Sequence, residues 1–190
     1  YNGLHKPPYS KEFIARFRAA QLARIRRRTQ WVRETLDMLK KRGGNEVERG
    51  FVTHRTMAEP RWLDGAIDPN DRKIGPCFLG VPETVNTGPV GIGRFSTLRS
   101  WLSQWSIDDT HAHGEKCAAT IKVPFLAIEN TADDAVPQPH TERIYNAAGS
   151  KDKTFRQIKG ATHYYVAQPE LLQQAVDMQM AWMRERKLLD

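Results

Sequence analysis

Val123-Pro-Phe-Leu-Ala-Ile-Glu-Asn-Thr-Ala-Asp-Asp-Ala-Val-Pro137, followed thirty residues beyond Asp133 by Gly160-Ala-Thr-His163, decides how this chain folds. Val123 to Ile128 is an apolar run of the length of a buried strand, and Asn130-Thr-Ala-Asp-Asp is a cluster of turn formers that ends it. A carboxylate therefore stands just past the carboxyl end of a strand, where open α/β sheets gather their chemistry. Downstream, Pro139 to Ala148 reads as a helix closed by Gly149, and Thr154 to Lys159 reads as a second strand. Gly160-Ala-Thr-His163 leaves that strand as a loop. From Pro169, a favourable first helical residue, Leu172, Ala175/Val176, Gln179 and Trp182/Met183 recur at helical spacing and form a closing amphipathic helix.

An acid and a histidine at the ends of neighbouring strands form a chemical unit. An imidazole with its ordinary pKa of about 6.5 takes a proton from a hydroxyl and returns it to a leaving group, while a carboxylate on its other nitrogen fixes the tautomer and stabilises the imidazolium. The competing reading makes Asp133 a turn former and His163 a loop residue bonded to backbone.

The order strand, acid loop, helix, strand, histidine loop, helix resembles the last third of an α/β-hydrolase, from about Lys122 to the end of the chain. Asp133 matches that family's acid, three residues ahead of the Val136-Pro137 pair, and His163 matches its histidine in a Gly-x-x-His turn. Asn130 stands where the family usually has a glycine, and Asp134 offers a second carboxylate next door. The resemblance implies the C-terminal part of an α/β-hydrolase sheet, its last two parallel strands and helices in residues 121–190, preceded by a mostly helical cap over residues 1–120. It implies Asp133 and His163 as catalytic residues, and neither a metal nor an organic cofactor.

The nucleophile that would complete the triad is missing from this sequence. None of Ser10, Ser96, Ser100, Ser103, Ser106 and Ser150 lies in a Gly-x-Ser-x-Gly strand-to-helix turn. Gly91-Ile-Gly-Arg-Phe-Ser96 has the wrong spacing. Gly75-Pro-Cys77-Phe-Leu-Gly80 follows a charged segment instead of a buried strand, so Cys77 reads as an ordinary half-buried residue. The chain begins at Tyr1, and nothing before Val123 supplies further parallel strands. It is expected to be the back half of a larger hydrolase, with the N-terminal half that carries the nucleophile present as a separate chain or as a segment not included here.

Net charge is +7, and residues 1–50 hold 13 Lys/Arg against 5 Asp/Glu, so the excess belongs to the first segment. There Ser10 can cap a long helix in which Ile14, Phe17, Ile25, Val32, Leu36 and Leu39 recur, with Gly43-Gly44 ending it. Arg16, Arg18, Arg24, Arg26, Arg27, Arg28 and Arg33 decorate this helix, 10–42. A basic amphipathic helix serves as a solvated lid, or as a surface for nucleic acid, an acidic membrane or a partner. No nucleic-acid-binding signature accompanies it and the aromatics are not interleaved for base stacking, so the lid is the favoured reading and no nucleic-acid partner is expected.

A further helix is expected from about Gly93 to Trp105, with Phe95, Leu98, Leu102 and Trp105 on one face. Trp62, Phe95, Trp101 and Trp105 can form an apolar pocket wall or simply pack the cap. Of these, Trp101 and Trp105, with Tyr164, are the expected substrate contacts; of Tyr164 and Tyr165, one faces the pocket and the other the core. His111 and His113 beside Asp108 and Asp109 read as a solvated polar loop in preference to a metal site. No run approaches the roughly 18 apolar residues of a membrane span. Two cysteines, Cys77 and Cys117, are too few for a disulfide framework and suit a reducing, cytoplasmic compartment.

The function expected is hydrolysis of a small-molecule carboxylic ester, or a related acyl bond, through an acyl-enzyme. The same acid and histidine also serve acyltransferases and thioesterases. In a different class, a non-catalytic binding module would use the basic helix 10–42, and self-association into a homo-oligomer stays open.

Overall fold

A computed structural model describes residues 8–57, 59–64, 71–72, 80, 85–86 and 94–189. The chain divides into two compact units, one of Tyr1–Asp64 with Leu79–His113 and one of Gly65–Phe78 with Gly114–Asp190. It combines helices with two small sheets, one antiparallel and one parallel.

The first unit is organised by α1, Lys11–Arg42. Ser10 caps it, its hydroxyl accepting from the Phe13 amide at 3.1 Å, and Gly43 ends it at φ 69°, a left-handed conformation that suits glycine. Lys40, Lys41 and Arg42 lie in the last turn, where the helix dipole is negative. The buried face carries Ile14, Gln21, Ile25, Thr29, Val32, Thr35 and Leu39. Its threonines are satisfied within the helix, Thr29 donating to the Ile25 carbonyl and Thr35 to that of Trp31. Ile25, Val32 and Leu39 form one core with Leu98 and Trp101, flanked by Trp31, Leu36, Phe51, Leu102 and Trp105. Each such side chain contributes about 1.5–3 kcal/mol by leaving water.

Two short strands, β1 (Gly50–Val52) and β2 (Phe95–Thr97), pair antiparallel in the same unit. Gly50 lets the Phe95 ring lie across it, since a Cβ there would stand 2.3 Å from the ring and push it aside. The helix expected from Gly93 starts instead at Leu98. Thr97 and Ser100 form a reciprocal capping box, and the residues before it are held by the ladder to β1. Phe95 consequently lies on an exposed strand position and not on the helical face expected for it. One α turn, α2 (Leu98–Ser100), runs into a π-helical turn, Trp101–Trp105, closed by the Ser106 amide on the Trp101 carbonyl at 2.9 Å.

The second unit opens with a short helix that the sequence did not announce, α3 (Gly114–Ala118), and then follows the order read from the sequence: β3 (Phe125–Asn130), α4 (His140–Ala147), β4 (Lys153–Ile158) and α5 (Pro169–Glu185). β3 and β4 pair in parallel, from Phe125↔Lys153 to Asn130↔Ile158. β3 starts two residues later than the apolar run because Pro124 has no N–H to give, whereas the Phe125 amide donates to the Asp152 carbonyl at 2.9 Å. It also runs through Asn130, so the turn starts one residue later than expected. Gly149 closes α4 against α3, and a Cβ there would sit 2.3 Å from the Ala119 carbonyl oxygen. Ile158, Ala161 and Ala175 form the core, with Ile128, Tyr165, Leu171 and Met178 packed on it. Among the described residues no strand pairs with the second edge of β3.

Candidate active site

The turn after β3 and the loop after β4 are tied together before either catalytic candidate is reached. The Thr131 amide donates to the Ile158 carbonyl at 3.1 Å, the Ala132 amide to the Ala161 carbonyl at 3.0 Å, and the Gly160 amide to the Thr131 hydroxyl at 2.8 Å. Asn130 adds a side-chain link. Its Nδ2 donates to the Thr162 carbonyl at 3.1 Å, and its Oδ1 accepts the Tyr165 hydroxyl at 3.0 Å. Gln168 clamps the loop from the other end: its Oε1 accepts from the Thr162 amide and hydroxyl at 2.9 and 3.0 Å, and its Nε2 donates to the Gly160 carbonyl at 2.8 Å.

Between these ties Asp133 and His163 meet. His163 Nδ1 lies 2.9 Å from Asp133 Oδ2 and 3.1 Å from Oδ1. Oδ1 also accepts the backbone amides of Ala135 and Val136 at 2.8 and 2.7 Å, so the carboxylate is fixed by its own turn before the imidazole reaches it. Asp133 is buried and the His163 side chain is 31% exposed. An ionised carboxylate only accepts, so Nδ1 donates in this pair, and in the neutral imidazole that leaves the lone pair on Nε2. Among the described residues Nε2 has no hydrogen-bond partner. The arrangement is that of a base oriented by an acid.

Asp134 does not bond the histidine. Burial pushes its carboxyl above the usual range and the Asp133 charge adds to this, against its own backbone amide, His163 and Arg72, which pull the other way. Tyr164 is 62% exposed and meets the His163 ring edge to face, with centroids 4.5 Å apart. Tyr165 turns to the core. The structure thus brings Asp133, His163 and Tyr164 together in the second unit.

Trp101 and Trp105 belong to the first unit. Trp101 is buried there, its indole N–H donating to the Thr29 hydroxyl at 3.0 Å, and Trp105 packs half-buried on the same core. Cys77 lies outside the described residues, and Cys117 is exposed and in no disulfide. Asp108 is engaged by Arg26, and Asp109 by Ser106 and Arg33. Among the described residues no group of three or more His, Cys, Asp or Glu is placed to hold a metal ion, and no helix is long and apolar enough to cross a membrane.

Searches against protein-family models, curated proteins and solved structures return no match.

Three residues of this site carry no chemical motif. Asn130 and Gln168 are ordinary turn and helix-start residues whose roles exist only once the two loops face each other. Glu129 is 1% exposed on β3, and its Oε1 accepts from Gln138 at 2.6 Å and Gln157 at 2.7 Å. A charged residue in an apolar run was the available signal, and alternation along the strand was too short to show it pointing inward.

Proposed function

We propose that this chain supplies the acid and the histidine of an α/β-hydrolase that cleaves a carboxylic ester or related acyl bond. The observation that carries this reading is the Asp133–His163 pair, with Nδ1 on a carboxylate anchored by two backbone amides. In the reaction, His163 Nε2 takes the proton of a serine hydroxyl as its oxygen bonds to the acyl carbon, then gives that proton to the departing alcohol. Water repeats the sequence on the acyl-enzyme and releases the acid. Asp133 holds the tautomer and stabilises the imidazolium throughout.

The serine and the oxyanion donors come from a segment outside this chain, a separate N-terminal half in the simplest arrangement. The second edge of β3, which no strand among the described residues pairs, supports this, because such an edge is a template for a further strand. An open apolar hollow of about 490 Å³ beside β3, lined by Pro124, Phe125, Leu126, Ile128, Gln179, Trp182 and Met183, supports it too. Acyl transfer to an acceptor other than water would use the same two residues.

The test is turnover of a p-nitrophenyl ester by the intact protein. His163→Ala is expected to lower kcat by about a thousandfold or more, as loss of a general base does, with the melting temperature nearly unchanged because His163 is a loop residue. Unchanged turnover in His163→Ala would remove the reading.

A further inference from the structure

The first unit contains a cavity of about 340 Å³ bordered by Arg24, Arg27, Arg28 and Arg55 together with Trp31 and Phe51. Among the described residues no carboxylate lines it. Several other arginines of this unit are matched: Arg26 with Asp108, Arg33 with Asp109, Arg42 and Arg49 with Glu46, and Arg99 with Glu48. Arg24, Arg28 and Arg55 have no such partner among the described residues, and unlike Arg16 and Arg18 of α1 they are half-buried. The Nε atoms of Arg24 and Arg55 are shut off from solvent without a hydrogen-bond partner, and buried donors on charged groups are costly when unmet.

The cluster is also held open by its surroundings. The Arg28 guanidinium lies over the rings of Trp31 and Phe51, at 4.8 and 5.2 Å from their centroids, which holds its charge at the cavity wall. Arg55 sits at φ 58°, a left-handed conformation unusual for a side chain of its size. Its amide on the Asn86 carbonyl at 2.7 Å and its carbonyl on Gln21 Nε2 at 3.1 Å keep it there. Backbone strain fixed by neighbours in this way is characteristic of ligand sites. The like charges are felt: burial, and then Arg55, Arg27 and Arg28, lower the proton affinity of Arg24, and burial followed by Arg55, Arg24, Arg28 and Arg94 lowers that of His54 on the same wall.

We propose that this cavity binds a small organic anion, its carboxylate or phosphate head on Arg24, Arg28 and Arg55 and its apolar body against Trp31 and Phe51. At roughly 30 Å³ per water-sized group the space holds about eleven such groups, the size of a phenyl ring bearing one oxyanion. A polymer would be read along an open face, whereas these arginines converge on a pocket. All of its lining residues belong to the first unit.

Calorimetric titration of the full chain with phenyl phosphate, benzoate, inorganic phosphate and benzyl alcohol tests this. Phenyl phosphate or benzoate should saturate at one per chain, the tighter of the two naming the head group. Inorganic phosphate should bind at least about tenfold more weakly, and benzyl alcohol should not bind. Arg24→Gln with Arg55→Gln should weaken the aryl anion by about tenfold or more, since charge-assisted hydrogen bonds are lost. The charge-matched control Arg16→Gln with Arg18→Gln, on exposed positions of α1, should change it less than about twofold. Without ligand the Arg24/Arg55 variant should melt no lower than the parent, because it relieves repulsion. If it melts lower, Arg28→Gln takes its place and must weaken binding at least about threefold. Absence of saturable binding, equal loss in the control pair, benzyl alcohol binding as tightly as the anions, or displacement of phenyl phosphate by a short oligo-dT bound more tightly would overturn the proposal.

Discussion

Asp133→Asn is the substitution that separates orientation from simple packing at the candidate site. The amide is the same size as the carboxyl, and its oxygen can still accept the Ala135 and Val136 amides that now lie 2.8 and 2.7 Å from Oδ1. Its nitrogen then faces His163 Nδ1 as a donor, so the imidazole must offer a lone pair at Nδ1 and move its proton to Nε2. Hydrogen bonds to a charged group contribute about 1.5–3 kcal/mol and neutral ones about 0.5–1.5, so weakening two backbone bonds should cost about 2 kcal/mol in all. Asp133→Ala takes the acceptor from both donors of this half-buried turn and should cost about 3 kcal/mol, more than the Asn variant. Urea unfolding gives the energies, and long-range ¹⁵N–¹H correlation spectra of the imidazole give the tautomer. If His163 keeps its proton on Nδ1 in Asp133→Asn, or if the Asn and Ala variants unfold at the same urea concentration, the carboxylate is not what orients the ring.

Asn130→Ala removes the side-chain link between the two loops, leaving the Thr162 carbonyl and the Tyr165 hydroxyl without their partner, and should cost about 2 kcal/mol in urea unfolding. Asp134→Asn should matter only as pH rises. The Asp134 carboxyl is raised in the folded chain, so the stability it contributes is complete below the unfolded carboxylate pKa of about 3.9 and is lost as pH climbs through the higher folded value. The variant should therefore melt with the parent near pH 3 and above it near pH 7; a constant difference at both pH values would show that the effect is not ionic.

The second unit was legible because its information is local. Gly149, Pro169 and the run Phe125–Ile128 each specify an element through their own backbone preferences, and the spacing of Asp133 and His163 follows from those elements. The shift in the start of β3 was also readable in principle, since Pro124 cannot donate. The first unit hid more. Phe95–Thr97 has helical neighbours and only becomes a strand by pairing with Gly50–Val52, more than forty residues earlier, a partner that no periodicity announces. The arginines of α1 looked alike in sequence. Arg26 and Arg33 find aspartates in the loop after Trp105, whereas Arg24 and Arg28 meet Arg55, and only tertiary structure sorts the two sets.

Gln168 grips both ends of the Gly160–Thr162 segment, and this has a practical consequence for the residues that follow. The chain from Val166 to Ala167 bulges outward from anchored points, with Val166 73% exposed. Its shape is not what positions the imidazole. A cysteine at Val166 carrying a fluorophore, or one or two extra residues beside it, should be absorbed by the bulge while the histidine stays in register. The loop thereby offers an attachment point within a few residues of the candidate general base, from which arrival of a substrate or of a further strand could be watched in real time.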